Sequence, residues 1–474
     1  MRYLNLFIIL LLSLFSSCAN GQISEYTEFL YEDFEKDSLY VLNSDQIPHI
    51  KMCGKHNIIH ISKNSNLKKI FNKPNSTYVI SQTHRVDTLC IPDECEIYFD
   101  GGRLLGNIIF SNTLLTGRVN LKGSTISGTV ANRRFYTSWL CNGDGVLDDA
   151  YNINQIIGVC DTIIIQRGLY RLLNLHEIDI SLDAQYRDAV MSHIGIYRSN
   201  KTIIGEQGAV LLTSETMPTI CVYSKPYELE SRVSNITISN IVFKVLNNAT
   251  TFNEFCHTLK FVGVDNAKID NCKFNDFWGD AICLSHYGDT PKTGERTRNS
   301  NIIISNNFIY GGSHNNRNGV SIINGENVIV RDNKIVEVSK LGMPGAIDIE
   351  PNNSAYTISN ISILRNTIIK SLGGAGAINV TCLDREAPAH FVTIEGNRVY
   401  DSRHGIVLWI KSANTTNDIY IINNYTNRNT PSYYFGGEGS SRNIVIKGND
   451  FRGKTSAKIG GSIKINNFIT DISN

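Results

Sequence analysis

The sequence of 474 residues has few charged side chains and almost no net charge. Asp, Glu, Lys and Arg make up 19% of it, against roughly 25% in an average soluble protein, and the formal net charge is +1. A chain without a basic excess gives no general electrostatic reason to expect a nucleic acid partner. The chain also lacks any CxxC pair, which argues against a zinc ribbon or a thioredoxin-type redox site.

Long hydrophobic runs are equally scarce, and the clearest run is short. Leu6 to Leu14 follows Arg2 and is too short to span a bilayer as a mature helix. It leads into Leu14-Phe15-Ser16-Ser17-Cys18, which resembles a bacterial lipobox, whose Cys becomes the lipidated first residue. We therefore predict a signal peptide over residues 1–17, lipidation at Cys18 and a lipid anchor in the bacterial cell envelope. No acidic run follows Cys18, so the sequence leaves the membrane face open.

The remaining cysteines are scattered along the chain. Export permits disulfides, and Cys90 and Cys95 are the pair closest in sequence. We interpret most of these cysteines as small apolar side chains that fill a β core.

The organisation of the chain changes at three points. Residues 18–84 have weak periodicity and are interpreted as a tether and N-terminal cap region. Residues 85–140 contain short apolar pairs separated by Gly or Asn, which predict a small β module. In residues 141–474, the spacing of Ile153, Ile156 and Ile157 predicts a short helix, with Asp148 or Asp149 as N-cap, that covers the open end of a solenoid.

One pattern recurs about every 25 to 35 residues in the second half of the chain. An apolar residue, any residue, a second apolar residue and two further residues precede an asparagine, and most copies end on another apolar residue two positions later. The asparagines are Asn307, Asn333, Asn366, Asn397, Asn424 and Asn449. Alternating apolar residues point into a narrow core, and stacked coils place the asparagines in a column at a corner, where the backbone needs a left-handed conformation. The pattern predicts an all-β chain folded as a right-handed parallel β-helix.

A second series of strands belongs to the same coils. The residues predicted to point into the core are Ile282, Val320, Ile347, Ile378 and Ile406. The residues between them are predicted to point outward, which places polar side chains in an outward column.

The start of the repeat region resembles a known superfamily. Gly143-Asp144-Gly145-Val146-Leu147-Asp148-Asp149, then Ile153 and Gly168-Leu169-Tyr170, is similar to the opening of pectate-lyase-like β-helix proteins, which include relatives of polygalacturonases and phage tailspikes. The resemblance covers about residues 140–470. It implies a carbohydrate-active enzyme with a polysaccharide or oligosaccharide as its partner, although fold alone does not fix function.

The match to polygalacturonases is incomplete. Gly279-Asp280-Ala281-Ile282 is similar to their Asp-Asp strand but carries one acid of two. Arg403-His404-Gly405-Ile406 is similar to their His-Gly strand but lies four coils later instead of one.

The outward column suggests a hydrolase. Asp348 and Glu350 lie on one strand with Asp280 two coils away, and paired carboxyl groups about 6.5–9.5 Å apart serve inverting glycosidases as acid and base. The alternatives are an ordinary polar pair or a cation site. The cation would be Ca²⁺, and the sequence predicts no other cofactor. The predicted substrate-binding neighbours are Arg317, Asn318, Asn379, Trp278 and Trp409.

Two other functions fit the sequence. A polysaccharide lyase would need a base and a cation to hold a uronate carboxylate, and Arg403, His404 and Lys411 supply both at the end of the strand series. His286, His314 and the excursion 285–300, with Tyr287, Arg296 and Arg298, are predicted to lie beside the groove. A glycan-binding or structural β-helix without turnover is the other reading.

Overall fold

The described chain folds as a right-handed parallel β-helix with a smaller sheet before it. The computed structural model describes residues 57–178, 184–213, 217–225, 232–245, 252–288, 290–312, 316–382, 387–410, 415–427, 433–438, 440–452, 458–459 and 464–470. Cys18 and the predicted signal peptide lie outside these residues. Within them, no helix is long and apolar enough to cross a membrane.

The first sheet precedes the helix in the chain and is parallel in all its pairings. Its elements are β1 (Asn57–His60), α1 (Leu67–Ile70), β2 (Ser76–Ile80), β3 (Thr83–Cys90), β4 (Glu96–Phe99), β5 (Arg103–Gly117) and β6 (Thr125–Val130). Strand β3 runs across position 84, where the sequence suggested a change of region. Buried apolar side chains of this sheet, such as Ile97 and Phe99, belong to the same hydrophobic cluster as those of the β-helix.

The start of the β-helix is covered by the predicted short helix. The elements here are β7 (Phe135–Tyr136), a 3-10 turn (Thr137–Trp139), β8 (Asp144–Asp148) and α2 (Ala150–Val159). Ile153, Ile156 and Ile157 of α2 are buried, as their spacing predicts. Asp149 holds the N-cap position, but its carboxylate accepts the backbone N–H groups of Asn142 and Gly143 at 2.7 and 2.9 Å instead of capping α2.

Each following coil contributes one strand to each of three walls, in the order wall 1, wall 2, wall 3. The early coils contain β9 (Thr162–Ile165), β10 (Gly168–Leu172), α3 (Ala184–Val190), β11 (Ile194–Ile196), β12 (Thr202–Gly205), β13 (Ala209–Thr213), β14 (Ile220–Tyr223), β15 (Ser234–Ser239), β16 (Val242–Val245), β17 (Leu259–Val262), β18 (Asp265–Asp270), β19 (Lys273–Asn275), β20 (Ile282–Leu284), α4 (Pro291–Arg296), β21 (Asn299–Ser305), β22 (Phe308–Tyr310) and β23 (Val320–Ile322).

The later coils keep the same order. They contain β24 (Gly325–Arg331), β25 (Lys334–Val336), β26 (Ile347–Ile349), β27 (Ile358–Leu364), β28 (Thr367–Ile369), β29 (Ile378–Cys382), β30 (Ala389–Glu395), β31 (Arg398–Tyr400), β32 (Ile406–Ile410), β33 (Thr415–Ile422), β34 (Tyr425–Asn427), β35 (Tyr433–Gly437), β36 (Ser440–Lys447), β37 (Asp450–Arg452), β38 (Lys458–Ile459) and β39 (Lys464–Thr470). Among the described residues, wall 1 has 12 strands (β7, β9 and every third strand to β39), wall 2 has 11 (β8, β10 and every third strand to β37) and wall 3 has 10 (β11 and every third strand to β38).

The core is built from the alternation that the repeat predicts. Ile361, Ile363 and Ile368 are fully buried on walls 1 and 2, and the second series of inward residues stacks in register on wall 3. β-branched side chains suit this position, because they pack well on a pleated surface and lose little rotamer freedom there.

The predicted asparagine column is confirmed as a hydrogen-bonded ladder. The backbone N–H and the side-chain amide of Asn366 donate to Oδ1 of Asn397 at 2.8 and 3.0 Å. The same amide donates to the carbonyl of Val330 at 2.9 Å, and Oδ1 of Asn366 accepts from Asn333. Every polar atom of this buried amide therefore has a partner, as buried polar groups require.

The left-handed residue at this corner is not the ladder asparagine, so that part of the prediction is wrong. The residues with positive φ come one position earlier: Asn306 (56°), Asp332 (56°), Arg365 (52°), Gly396 (67°) and Asn423 (54°). The residue before each ladder position makes the bend, which leaves the asparagine to turn inward and bond to its neighbours.

The cysteines of the described residues are free thiols, which leaves Cys90 and Cys95 unpaired. All of them except Cys90 are buried, in agreement with their interpretation as core filler. Cys272 takes the ladder position of its coil, where its N–H donates to Oδ1 of Asn307 at 2.9 Å.

Candidate active site

The predicted acids lie on the outer side of wall 3 but not in one column. Asp348 of β26 stands opposite Ser321 of β23 and Asn379 of β29. Two coils before Asp348, its column is occupied by Cys283. Asp280 precedes β20, Glu350 follows β26, and one side chain from a neighbouring segment contacts both of them and Asp348.

That side chain is Arg317, in the segment before β23. Its backbone N–H donates to the carbonyls of Trp278 and Gly279 at 3.0 and 2.9 Å, which fixes the segment against the previous coil. Its guanidinium Nη1 lies 3.2 Å from Asp280 Oδ2. On the other side, Nη2 lies 2.8 Å from Glu350 Oε2 and 3.6 Å from Asp348 Oδ2. One guanidinium therefore joins all three predicted acids.

A fourth carboxylate completes what we call the Arg317 cluster: Arg317, Asp280, Asp348, Glu350 and Glu254. The Glu254 Oε2 atom is 3.9 Å from Arg317 Nε. The cluster sets four acids against one guanidinium.

Burial separates an inner and an outer part of the cluster. Asp280 and Asp348 have no solvent exposure, so the prediction of accessible outward carboxylates is wrong for both. The side chains of Arg317 and Glu350 each keep 11% exposure, and that of Glu254 keeps 43%. Glu254 is therefore the most exposed carboxylate of the cluster, Glu350 keeps a small exposed fraction, and Asp280 and Asp348 lie fully buried.

Asparagines hold the inner acids in place. Asn318 donates its backbone N–H to Asp280 Oδ1 at 3.1 Å and its side-chain amide to Asp348 Oδ2 at 3.2 Å. Asn379 donates its side-chain amide to Asp348 Oδ1 at 2.7 Å. The structure thus brings Arg317, Asn318 and Asn379 together with the acids, but as their buried partners.

The excess of acid changes the protonation of the cluster. Burial and, after it, the charge of Asp348 raise the pKa of Glu350, Arg317 lowers it, and the net pKa is about 8. Burial also raises the pKa of Asp348, and the two carboxyl groups share a hydrogen bond. A shared hydrogen bond brings these two groups much closer than the 6.5–9.5 Å that an inverting pair needs.

Asp280 behaves in the opposite way. Its burial raises the pKa, but Arg317 and His257 together outweigh that effect, so the net pKa lies below its usual range. Asp280 is therefore the ionised partner of Arg317, and the retained proton belongs to the Asp348–Glu350 pair.

His257 and Cys283 extend the cluster inward. With Asp280 they offer three donor atoms within 4.8 Å of one another, an arrangement that could hold a metal ion. The fit is poor, because burial and the adjacent Asp280 raise the pKa of the Cys283 thiol well above its usual range, while metals bind the thiolate. Arg317 also supplies the positive charge beside Asp348 and Glu350 that Ca²⁺ would supply.

The two predicted tryptophans have different positions. Trp278 is 2% exposed and packs in the main core, so its predicted role of stacking on a sugar is wrong. Trp409 is 37% exposed and stacks on Tyr434, with ring centroids 5.8 Å apart. Trp409 stands opposite Thr381, which comes directly after Val380, the partner of Ile349 on the preceding coil.

The residues of the lyase hypothesis are not assembled by the described structure. Arg403 is exposed and His404 is partly exposed beside the start of β32. Lys411 and His314 lie outside the described residues. His286 Nδ1 is 2.5 Å from the hydroxyl of Tyr356.

The described residues of the excursion 285–300 pack against the outer face of wall 3. Tyr287 packs with Tyr186, Cys221 and Val262. The carbonyl of Gly294 in α4 accepts the amide of Asn324 at 2.7 Å. Cys283 of β20 is buried against Ile323, Ala355 and Tyr356.

Sequence reasoning missed Glu254, His257 and Ser321. Glu254 and His257 precede β17 in a segment without the repeat pattern, so nothing in the sequence placed them on wall 3. Ser321 did carry a signal, since it occupies the outward column one coil before Asp348.

No protein-family model and no curated protein matches the sequence. The chain is similar to the surface adhesin PfbA of Streptococcus pneumoniae, at 14% identity over 71% of this chain and 93% of that one, with a TM-score of 0.43. It is also similar to the family 28 exopolygalacturonase of Yersinia enterocolitica, at 8% identity over 88% and 79% of the two chains, with a TM-score of 0.39.

A third neighbour is a tailspike protein from an Acinetobacter baumannii bacteriophage, a capsular polysaccharide depolymerase. It shares 11% identity over 70% of this chain and 64% of that one, with a TM-score of 0.41. The fold confirms the predicted resemblance to parallel β-helix proteins, and at these identities the likeness concerns the fold alone.

Proposed function

We propose that this protein is a carbohydrate-active enzyme, a glycoside hydrolase in which Glu350 is the general acid. The observation that carries the proposal is a partly exposed carboxyl group held protonated at neutral pH by burial and by Asp348. A general acid needs a pKa near the working pH and access to its substrate, and the pKa of about 8 and the 11% exposure of the Glu350 side chain support this role.

Glu254 is the carboxylate suited to activate water in this scheme. It contacts the Nε atom of the guanidinium whose Nη2 contacts Glu350, and it is the more exposed of the two acids. Asp280 and Asp348 are positioning residues: Asp280 orients Arg317, and Asp348 keeps the proton on Glu350. Arg317 fixes the acid and the base relative to each other.

The substrate would lie along the helix axis over wall 3. Trp409 is two coils from Glu350, which is about 10 Å at a strand spacing of about 4.8 Å. Its exposed ring and that of Tyr434 form an apolar platform with polar edges, which suits a sugar ring.

The test is product analysis on a panel of polysaccharides. The wild-type protein should release new reducing ends without an unsaturated product, and Glu350→Gln should lower kcat by roughly 10²–10⁴-fold. Glu254→Gln should act in the same direction, whereas the exposed Glu206→Gln serves as the control and should keep full activity. Full activity of Glu350→Gln on a cleaved polysaccharide would refute the assignment.

A non-catalytic glycan-binding protein is the second candidate. The complete burial of Asp280 and Asp348 favours it, because a buried ion cluster can serve to fix a loop instead of acting on a substrate. Binding to a glycan of the panel without any product would identify this function. A product that absorbs in the ultraviolet through a new double bond would instead identify a lyase.

The predicted envelope location remains a proposal as well. We propose that Cys18 carries the lipid that anchors the protein. Labelling of cells with a clickable fatty acid should mark the wild-type protein and leave Cys18→Ala unmarked, and equal labelling of both would refute the anchor site.

A further inference from the structure

The outer face of wall 2 carries a cleft that the Arg317 cluster does not use. The cleft has a volume of about 770 Å³ and crosses the coils of β28, β31 and β34. Its lining includes Arg365, Arg398, Tyr400, Asn423 and Tyr425. No residue of this set was singled out by its chemistry in the sequence.

The charges around the cleft leave Arg398 available. Arg365 is held by Asp332, whose carboxylate it contacts at 2.8 and 2.9 Å. Asp450 is likewise paired with Arg452 at 2.8 Å. Arg398 is exposed, and its guanidinium has no ion pair with any residue in the described ranges. Asp332 and Asp450 are thus occupied by other arginines, and an exposed guanidinium without an ion pair is a site for an external carboxylate.

Two tyrosine rings lie next to this guanidinium. Tyr425 stands directly opposite Arg398 on the neighbouring strand, and Tyr400 follows Arg398 by two residues on the same face. The two ring centroids are 5.5 Å apart and the rings are inclined by 47°. Both are partly exposed, so they offer apolar surface with hydroxyl groups at the edge.

The absence of a side chain at Gly396 opens the cleft. The neighbouring coils place Arg365 and Asn423 at this left-handed position, where Gly396 has φ 67°. A Cβ at Gly396 would lie 3.3 Å from Cγ of Arg365, so a side chain here would occupy the space between the two neighbours.

We propose that this cleft binds an acidic sugar residue, a uronate within a glycan chain. Arg398 binds the carboxylate, Tyr400 and Tyr425 pack against the sugar ring, and the space at Gly396 admits it. The proposal takes from the proposed function only that the partner is a glycan, and it requires no catalysis at wall 3.

The experiment measures binding to soluble uronate polymers (polygalacturonate, alginate and hyaluronate) by affinity electrophoresis and titration calorimetry. The Glu350→Gln protein is used as the background, so that turnover cannot consume the polymer. We expect binding to at least one polymer and loss of binding to the same polymer after chemical reduction of its carboxyl groups. Arg398→Ala should weaken binding roughly tenfold or more, as should Tyr425→Ala.

Two further variants sharpen the result. Gly396→Asn keeps a residue type that tolerates the left-handed conformation, fills the space and leaves Arg398 intact, so it should also weaken binding. Arg442→Ala removes an exposed arginine from wall 1 of a nearby coil and should change affinity by less than about twofold. Thermal unfolding of each variant separates lost binding from lost folding.

The proposal is overturned if no uronate polymer binds, if the carboxyl-reduced polymer binds equally well, or if Arg398→Ala binds like Arg442→Ala. Binding that Arg398→Ala removes, in a protein whose wild type cleaves no glycan, would support this cleft while refuting the hydrolase.

Discussion

The β-helix contains two buried polar stacks that follow opposite rules. In the asparagine ladder, each neutral side chain repeats the one before it, and the amide of Asn366 bonds to both neighbouring coils. In the Arg317 cluster, no coil repeats its neighbour, and one guanidinium faces two fully buried acids and two partly exposed ones. Each further coil can add one asparagine to the ladder without leaving a buried polar group unpaired. The cluster occurs once, and its Asp348–Glu350 pair retains a proton. In this protein the regular, neutral stack serves stability, and the irregular, charged cluster is the one that we propose acts in catalysis.

The largest expected effect comes from removing the cation of the cluster. Arg317→Met should lower the free energy of unfolding by roughly 3–5 kcal/mol, because buried carboxylates lose their compensating charge. Urea unfolding followed by circular dichroism measures the change. The matched control is Arg365→Met, which breaks an exposed ion pair and should cost far less. Equal losses in the two variants would contradict the distinction.

A ladder position should be the next most sensitive. Asn366→Ala leaves buried donors on Asn333 and the carbonyl of Val330 without their partner, and should cost roughly 2–3 kcal/mol. The control is Asn360→Gly, which removes an exposed asparagine bond at 2.7 Å but keeps the positive φ, and should cost less than about 1 kcal/mol. A ladder variant as mild as this control would show that the buried stack adds little stability.

The pH dependence distinguishes the two stacks more finely. The folded protein holds the proton of Glu350 more tightly than the unfolded chain does, so this group stabilises the fold most at low pH. The stabilisation is lost as the pH rises from about 4.3, the unfolded value, to about 8. Across that window, wild type should lose stability relative to Glu350→Gln at up to about 1.4 kcal/mol per pH unit. Urea unfolding at several pH values measures this, and a constant difference would show that Glu350 is not protonated in the folded state.

The smallest effect is expected where the ladder is incomplete. Cys272 occupies a ladder position, and its sulfur lies near the carbonyl of Ile238 and the N–H of Ile241, where an asparagine amide would find an acceptor and a donor. Cys272→Asn should therefore change stability by less than about 1 kcal/mol, whereas Asn307→Cys should cost more. If Cys272→Asn were the more harmful of the two, the ladder would not extend into the early coils.

Most of the β-helix could be predicted because its signal is repeated. Ile361, Ile363 and Asn366 predict one coil, and each further copy fixes the register again. The left-handed residue lies one position before the predicted one. Asparagine occupies both positions in the coil of Asn306 and Asn307, so the residue type alone does not show which of the two bends the chain. Asp348 could be predicted because inward and outward residues alternate along its strand. Glu254 and His257 were missed because their segment carries no repeat.

The sequence by itself determined the fold of the repeat region, the ladder, the core faces of walls 1 and 3 and the outward position of Asp348, whereas Glu350 lies one residue beyond its strand. These follow from local alternation and from repeats, which act at every coil in the same way. Only the tertiary structure decided which of the outward acids are buried, that Arg317 joins them, and that the proton stays on the Asp348–Glu350 pair. The reason is physical: exposure and pKa depend on which loops cover a wall and which charges meet there, and neither is encoded in the spacing of a single strand.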